Sequence, residues 1–372
     1  MAGRSGSDRL LLQGVPRIAF YSGGARCPED ITYPACLRAA LEYLGELPGC
    51  AHLPRHQAGS PIHCGYAWLM GLTGQAFSLV WEPGWSPANG DVRWLAADPA
   101  EPLRRGLEAA GHEGSVFVRS ARWPNEADLR RIIIAHLDER LPLVAIGLAG
   151  PPEASLITGY DAAGDVLLGW SFFQDMAEFN VGLSFEPSGP FRQRDWYSHL
   201  EALVAIGQRI AAPAPLGEAV REALRRGLEQ IRTARIAGRP AGLAAYDAWS
   251  QALLEDGPAL EPDSGDLCAC YDVHDNAVGN LAELRWYGSV FLSQAANASL
   301  AGDVELLRAA ACMAQEHSLM WQAWAAVGGN GRDAAMVRAF AQPEVRQRLA
   351  AVIRASRDAC ASTADHLEAA LR

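Results

Sequence analysis

Four residues, APAP at 212–215, divide this 372-residue chain into halves with different patterning. Up to residue 211, short apolar runs bounded by Gly, Pro and Asp alternate with helical stretches. Beyond Gly217 the composition turns to Ala, Leu, Arg and Glu, the apolar residues recur with a 3.6-residue period, and strand signals almost vanish. Periods of 2 and 3.6 bury different faces, so the halves are expected to fold by different means, with the Pro-Ala repeat as a linker. The expectation is an α+β chain of two domains, 1–211 and 216–372, the second all-α. The length, above the ~100–200 residues of one domain, agrees.

In the second half the periodicity predicts helices near 217–236, 241–255, 271–297, 303–325, 332–340 and 343–371, suited to an antiparallel bundle or cap. In the first half, Arg17–Tyr21 reads as a short strand. Pro34 sits where a helix can begin, because its locked φ and missing N–H cost nothing in a first turn. From there ACLRAALEYLG places Leu37, Ala40, Leu41 and Leu44 on one face and closes at Gly45. TGQAFSLVWEPGW reads as a β-like segment. Helices are expected at 102–110 and 125–139, the second capped by Asn125, with a strand at 115–119 between them. LPLVAIGL, EASLITGYD, DVLLGWSFF and Leu200–Ile206 read as strands, and DAAGD has the composition of a hairpin turn.

Two stretches carry a resemblance. TYPACLRAALEYLG (32–45) is similar to the helix that opens with a nucleophilic Cys, as in CGPACLAMILYYLG, and EASLITGYD (153–161) is similar to a strand that opens with His, as in HFVVVTGYD. The chain thus resembles papain-like cysteine peptidases and acyltransferases over roughly residues 17–210. The nearest likeness is the N-terminal domain of the butirosin-biosynthesis acyltransferase family. The resemblance implies a papain-like domain, a helix packed on an antiparallel sheet, and an acyl-transfer or amide-hydrolysis site in a biosynthetic setting. It also puts Thr32 where the family has its Cys, Glu153 where it has its His, Trp170 and Ser171 near its Asp or Asn, and Arg26 where it has a Gln.

The candidate chemistry follows from those substitutions. Acyl transfer of this kind needs a thiolate lowered in pKa by a helix N-terminus or an imidazole, with a base in reach. Cys36, one turn beyond Thr32, could supply a thiol, or could be a small buried hydrophobe. Thr32 could be a nucleophile assisted by Glu153, or simply the helix N-cap. Backbone N–H groups at the start of this helix would form the oxyanion site. Tyr33, Trp81, Trp170, Gln75 and Gln174 are expected to line a small-molecule pocket, together with other aromatics at Trp68, Trp85, Trp94, Phe172 and Phe173. In YDVHDNAVGNLAELRWYG, His274 and Asn276 could complete the site at the junction of the domains, and His317 and Trp321 are i,i+4 neighbours.

Composition excludes several classes. A net charge of −11 with scattered Arg residues leaves no basic footprint for nucleic acid. The longest apolar runs fall short of the ~20 residues of a membrane span, and the N-terminal Leu run is too short for a signal peptide. Eight Cys in a chain of this length read as reduced thiols in a cytoplasmic protein. Neither Cys50 with His52, His56, His63 and Cys64, nor Cys268, Cys270 and His274, has the paired spacing of a zinc site, so no metal or other cofactor is expected. Three readings stand: an acyltransferase or amide hydrolase acting on a small-molecule or acyl-carrier substrate, an inactive pseudo-enzyme that binds a ligand or partner, and a purely structural homodimer built by the helical half, which would have no ligand pocket.

Overall fold

Consecutive buried residues, rather than alternation, mark the central strands of the first half: LVAI at 143–146 and all but the last residue of ASLITGYD at 154–161 are buried. A strand buried at every position must be covered on both faces of its sheet. The computed structural model, which describes residues 8–20, 28–46, 64–87, 92–211, 216–255, 260–261, 264–298 and 303–372, shows how.

The chain is mixed α+β and forms two compact units, one of residues 1–69 with 98–213, the other of residues 70–97 with 214–372. The segment 70–97 therefore packs with the second half, where the linker position alone would have left it with the first. APAP itself lies outside the described residues.

The first unit runs β1 (Leu10–Leu11), α1 (Thr32–Tyr43), α2 (Cys64–Leu72, whose end enters the second unit), α3 (Glu101–Ala110), β2 (His112–Val118) and α4 (Glu126–Asp138). It continues with β3 (Leu143–Ile146), β4 (Ala154–Asp161), β5 (Val166–Ser171), β6 (Ser184–Phe185), β7 (Phe191–Gln193), α5 (Trp196–His199) and β8 (Ala202–Arg209). The strands make one antiparallel sheet in the order β2-β8-β3-β4-β5-β7-β6. β3 pairs with Ala154–Ile157 of β4, and β1 takes the place beside Gly159 and Tyr160. Helix α1 packs over β3 and β4, and α4 over β3, β4 and β8. Asn125 caps α4 as expected, its side chain accepting from the Asp128 N–H at 2.9 Å. The strand expected at Arg17–Tyr21 does not form over 17–20, which is irregular. The short strand lies at Leu10–Leu11, which has sheet partners.

The GYD that ends β4 has a local cause at each residue. A Cβ on Gly159 would stand 2.4 Å from the Leu10 carbonyl oxygen, so only glycine lets β1 approach. Tyr160 donates to Asp138 at the end of α4, at 2.9 Å. Asp161 accepts from the Ala162 N–H at 2.8 Å and from Arg192 at 2.6 Å, closing the β4–β5 hairpin and holding β7 to it.

The second unit contains α6 (Leu216–Arg232), a hairpin of β9 (Arg235–Ile236) and β10 (Arg239–Pro240), α7 (Leu243–Leu254), α8 (Leu267–Ala298), α9 (Val304–Val327), α10 (Ala334–Phe340) and α11 (Pro343–Leu371). Helix α11 lies against α6, α7 and α9, and α9 against α8. The hairpin holds segment 70–97: Trp81 N–H donates to the Pro240 carbonyl at 3.0 Å, and the Gly242 N–H to that of Leu79 at 3.0 Å. Arg239 pairs with Glu82 and lies 3.5 Å over the Trp94 ring. TGQAFSLVWEPGW is thus a 3₁₀ turn at Gln75–Phe77 followed by an isolated bridge at Val80, instead of a strand.

Glycine sets the closest approach. A Cβ on Gly71 would fall 2.1 Å from the Phe291 ring of α8, which is fully buried. Gly71→Ala is expected to destabilise the protein by about 1–3 kcal/mol, outweighing its better helix propensity, because a packed ring must move. Thermal melting checks this; an unchanged or raised midpoint would contradict the packing described.

Candidate functional site

The two stretches that carry the resemblance meet in the first unit. Thr32 opens α1, is 6% exposed, and its Oγ1 accepts from the Ala154 N–H, the first residue of β4, at 3.2 Å. Glu153 stands immediately before that residue, half-buried, with its own carbonyl accepting from Gly147 N–H at 3.1 Å. Thr32 is not the N-cap. That position is Ile31, and no side chain caps the helix, because the hydroxyl is committed to the strand instead.

The neighbouring backbone donor is also engaged. Ile31 N–H donates to the Tyr66 hydroxyl of α2 at 3.1 Å, and Tyr66 is fully buried. Of the groups expected to form an oxyanion site, this one is already used within the fold. Tyr33 is committed to the core: it is 1% exposed, donates to the Leu103 carbonyl at 2.6 Å, and packs so closely that a Cβ on Gly106 would fall 2.2 Å from its hydroxyl. Burial, and then the neighbouring Cys36, push its phenol well above the ordinary range.

Cys36 is 0% exposed. Burial pushes its thiol far up, Arg38 pulls it partly back, and Glu153 pushes it further up. That is the reverse of what an attacking thiol needs, since the thiolate is the nucleophile. Arg38 itself, on the same helix, is 2% exposed and held by Glu29 at 2.7 Å and by Glu42, one turn on, at 2.6 Å. The i,i+4 spacing of Arg38 and Glu42 was the one sequence signal for this clamp.

Trp170 and Gln174 follow in the same unit. Trp170 on β5 lies opposite Leu156 of β4, half-buried, with Arg17 5.6 Å over its ring. Gln174 is 3% exposed and satisfied at both ends, accepting from Ser171 N–H at 3.0 Å and donating to the Gly189 carbonyl at 3.2 Å. It fastens the turn after β5. Beyond it the loop to β6 presents Met176, Phe179 and Val181 to solvent, and β6 itself Phe185, Val181 at 84% exposure, with Phe179 edge-on to Phe173 at 5.3 Å.

Gln75, Trp81, His274 and Asn276 belong to the second unit and do not form one group. Trp81 stacks on Trp249 at 5.4 Å and meets Trp85 edge-on at 5.5 Å; Trp85 in turn touches Phe340. His274 joins this cluster, stacked on Phe340 at 5.2 Å, its Nδ1 accepting from Trp249 Nε1–H at 3.2 Å. Burial lowers its pKa to about 3, so it is a neutral core imidazole. Asn276 leaves the same helix on the exposed side and accepts from Arg332, which also binds Asp275. The expected pairing of His274 with Asn276 fails because residues two apart on a helix face different ways. Gln75 is 5% exposed, with its Nε2 unpaired. His317 accepts from Trp321 Nε1–H at 3.0 Å, the i,i+4 contact, while its Nδ1 faces the Ala282 carbonyl at 2.9 Å.

The deepest polar group of this unit was not anticipated. Arg285, Glu316, Tyr246 and Ser356, each fully buried, meet in the core of the bundle, with Cys360 beside them.

Of the two metal-like groupings, Cys50 to His63 lies outside the described residues, as does the Cys64 side chain. Cys268 is exposed, Cys270 buried and His274 bonded to Trp249, so they do not converge. Among the described residues no three His, Cys, Asp or Glu side chains are placed to hold a metal ion. Nor, among them, is any helix long and apolar enough to cross a membrane. No protein-family model matches the chain, and no curated protein was found to match it.

Proposed function

We propose that this chain is a papain-like protein that has exchanged acyl-transfer chemistry for binding, holding a small molecule or carrier-borne acyl group without turning it over. The observation that carries the proposal is the hydrogen bond from Ala154 N–H to Thr32 Oγ1. It spends the side chain at the nucleophile's position on fastening helix to strand. Three further points support it: Ile31 N–H is taken by Tyr66, Cys36 is sealed with its thiol raised, and the resemblance puts a carboxylate, Glu153, where the base would be. A carboxylate is a weak base toward an alcohol and repels a forming thiolate.

Binding, rather than a purely structural role, is supported by the apolar loop after Gln174. Solvent-exposed apolar groups gathered in one segment mark interaction surfaces, and Met176, Phe179, Val181 and Phe185 suit an aliphatic acyl chain.

The test joins labelling to native mass spectrometry. After brief iodoacetamide treatment of the native protein across pH 5–9, Cys268 is expected to be modified and Cys36 to stay unmodified until the protein is unfolded. With N-acetylcysteamine thioesters of medium-chain acids, the mass is expected to rise by the intact thioester, non-covalently, and Val181→Asp to weaken that adduct several-fold. Rapid modification of Cys36 below pH 7, a covalent acyl adduct, or hydrolysis of the thioester abolished by Cys36→Ala would overturn the proposal.

A further inference from the structure

Helix α1 is fastened to the rest of its unit at both ends. At its start Thr32 accepts from the Ala154 N–H, a bond that involves no titrating group. At its end Gly45, at φ +72°, reverses the chain, with Gly45 N–H donating to the Glu42 carbonyl and Glu46 N–H to that of Leu41, each at 3.0 Å. In this kind of closure the residue after the glycine is frequently apolar and packs back on the helix. Here it is an acid, and it stands at the negative end of the helix dipole, where a carboxylate is disfavoured. Something outside the helix must hold it.

His112, the first residue of β2 and 3% exposed, is that partner. Its Nε2 lies 2.9 Å from Glu46 Oε2, and its Nδ1 lies 2.9 Å from the Gly207 carbonyl oxygen of β8. A carboxylate and a carbonyl only accept, and a neutral imidazole has a single N–H. The ring with two protons satisfies both oxygens. The neutral ring turns a lone pair toward one of them.

We propose that Glu46 and His112 form a proton-operated latch on the last turn of α1, closed while the ring carries two protons and loosened when it carries one. The neighbouring charges leave the ring as the moving part. Arg209, the cross-strand partner of His112 on β8, is exposed and stands 4.0 Å from the same Glu46 carboxylate, a second and weaker cation for the acid to turn to. The other acid of this turn, Glu42, is exposed and bound to Arg38. Glu108 in the last turn of α3 and Glu113 on β2 are both exposed. Glu46 is the charge that meets the ring, and losing the second proton costs the latch a charge-assisted hydrogen bond. The latched state binds that proton through two oxygens and the opened state does not, so by linkage rising pH favours opening.

Amide hydrogen exchange on the intact chain, followed by NMR from pH 5 to pH 9 and corrected for its intrinsic pH dependence, reads the latch at the Gly45 and Glu46 N–H groups. Long-range proton–nitrogen spectra of the His112 ring count its protons in the same samples. Protection at both amides is expected to fall roughly five- to tenfold as the ring gives up its second proton, the difference between a charge-assisted and an ordinary hydrogen bond. The Glu139 N–H, which closes α4 on the Ala135 carbonyl, is expected not to follow it. Glu46→Gln, at a half-buried position, is expected to keep the fold and flatten the profile, because its amide can donate to a neutral ring as well as accept from a charged one. Protection unchanged through the ring's titration, a fall of the same size in Glu46→Gln, or a ring that keeps one protonation state from pH 5 to pH 9 would each overturn the proposal.

Discussion

Replacing Arg285 by Met is expected to cost about 3–5 kcal/mol, the largest effect of any single substitution proposed for this chain, because it leaves a buried carboxylate without its counter-charge. Arg285 on α8 is fully buried. Its Nε donates to Glu316 of α9 at 2.9 Å, its Nη2 to the Tyr246 hydroxyl of α7 at 2.9 Å, and its Nη1 to the carbonyls of Ala76 at 2.5 Å and Ser78 at 3.3 Å. Tyr246 donates onward to Glu316, as does Ser356 of α11 at 3.4 Å. One guanidinium thus ties three elements to Glu316, and its removal strands donors and acceptors in all of them. Burial already lifts the Glu316 carboxyl above the ordinary carboxylate range, against the pull of Arg285 and the hydrogen bonds.

Without Arg285 that rise grows, and the sign follows. A carboxyl whose folded pKa lies above its unfolded value binds a proton on folding, so stability falls as pH rises through that interval. The loss in Arg285→Met should therefore be smaller at pH 5 than at pH 8. Urea unfolding followed by circular dichroism measures it, and Arg285→Met with Glu316→Leu closes the double-mutant cycle, with partial recovery expected. A single variant within about 1 kcal/mol of the parent, or a double variant as unstable as the sum of the two singles, would show that the contacts do not act as one network.

Nothing in local sequence announces that network. Arg285 and Glu316 lie on different helices, and a charge in a helix is ordinarily read as solvated. The phase of α8 was the available signal. Val278, Leu281, Arg285 and Leu292 recur at i, i+3, i+7 and i+14, so Arg285 stands on the buried stripe. The long helices were legible because their periodicity persists: 343–371 was expected and Pro343–Leu371 formed, and 303–325 became Val304–Val327. The hairpin at 235–240 takes the last two residues of an expected helix ending at 236 and fills the gap before the next at 241. Two strands of two residues carry no period, and the turn rests on Ala237 and Gly238 at φ of 47° and 86°. The attachment of 70–97 to the second unit depends on backbone bonds between Leu79–Trp81 and Pro240–Gly242, pairings across some 160 residues that no local pattern encodes.

In the candidate site, the juxtaposition was readable and the chemistry was not. Aligning ACL and GYD put Thr32 and Glu153 in corresponding places, and the Thr32–Ala154 bond now joins those two stretches. Whether a threonine hydroxyl caps its own helix or bonds a strand depends on what lies within 3 Å of it. That is a tertiary fact, as is the complete burial of Cys36 on α1. Trp81 was expected beside Trp170 because both are aromatic, and His274 as a polar group that would complete their site. Aromatic character records that a side chain will be buried, not in which unit.

His274 yields the second large effect, and its sign is opposite to that of Glu316. The ring is 2% exposed, stacked on Phe340, and bonded through Nδ1 to the Trp249 indole N–H, so the neutral ring carries its proton on Nε2. Protonation would place a charge among Trp249, Tyr271 and Phe340, which is why burial lowers the pKa to about 3. Unfolded, the imidazole titrates near the ordinary value of about 6.5. Between those values the unfolded chain holds a proton that the folded chain refuses. The contribution of His274 is therefore complete above about pH 6.5 and is lost as pH falls toward 3, by up to about 1.4 kcal/mol per pH unit. Over that window the loss is on the order of 4 kcal/mol, comparable to a large share of a protein's net stability. His274→Gln, which cannot titrate but retains an acceptor for Trp249, is expected to be about 1–3 kcal/mol less stable at pH 7 for its poorer fit. It should nonetheless lose less on acidification, so the two stability curves converge between pH 6 and pH 4. Parallel curves across that interval would mean that His274 is protonated or solvated in the folded protein, and that the aromatic cluster is open where it is described as closed.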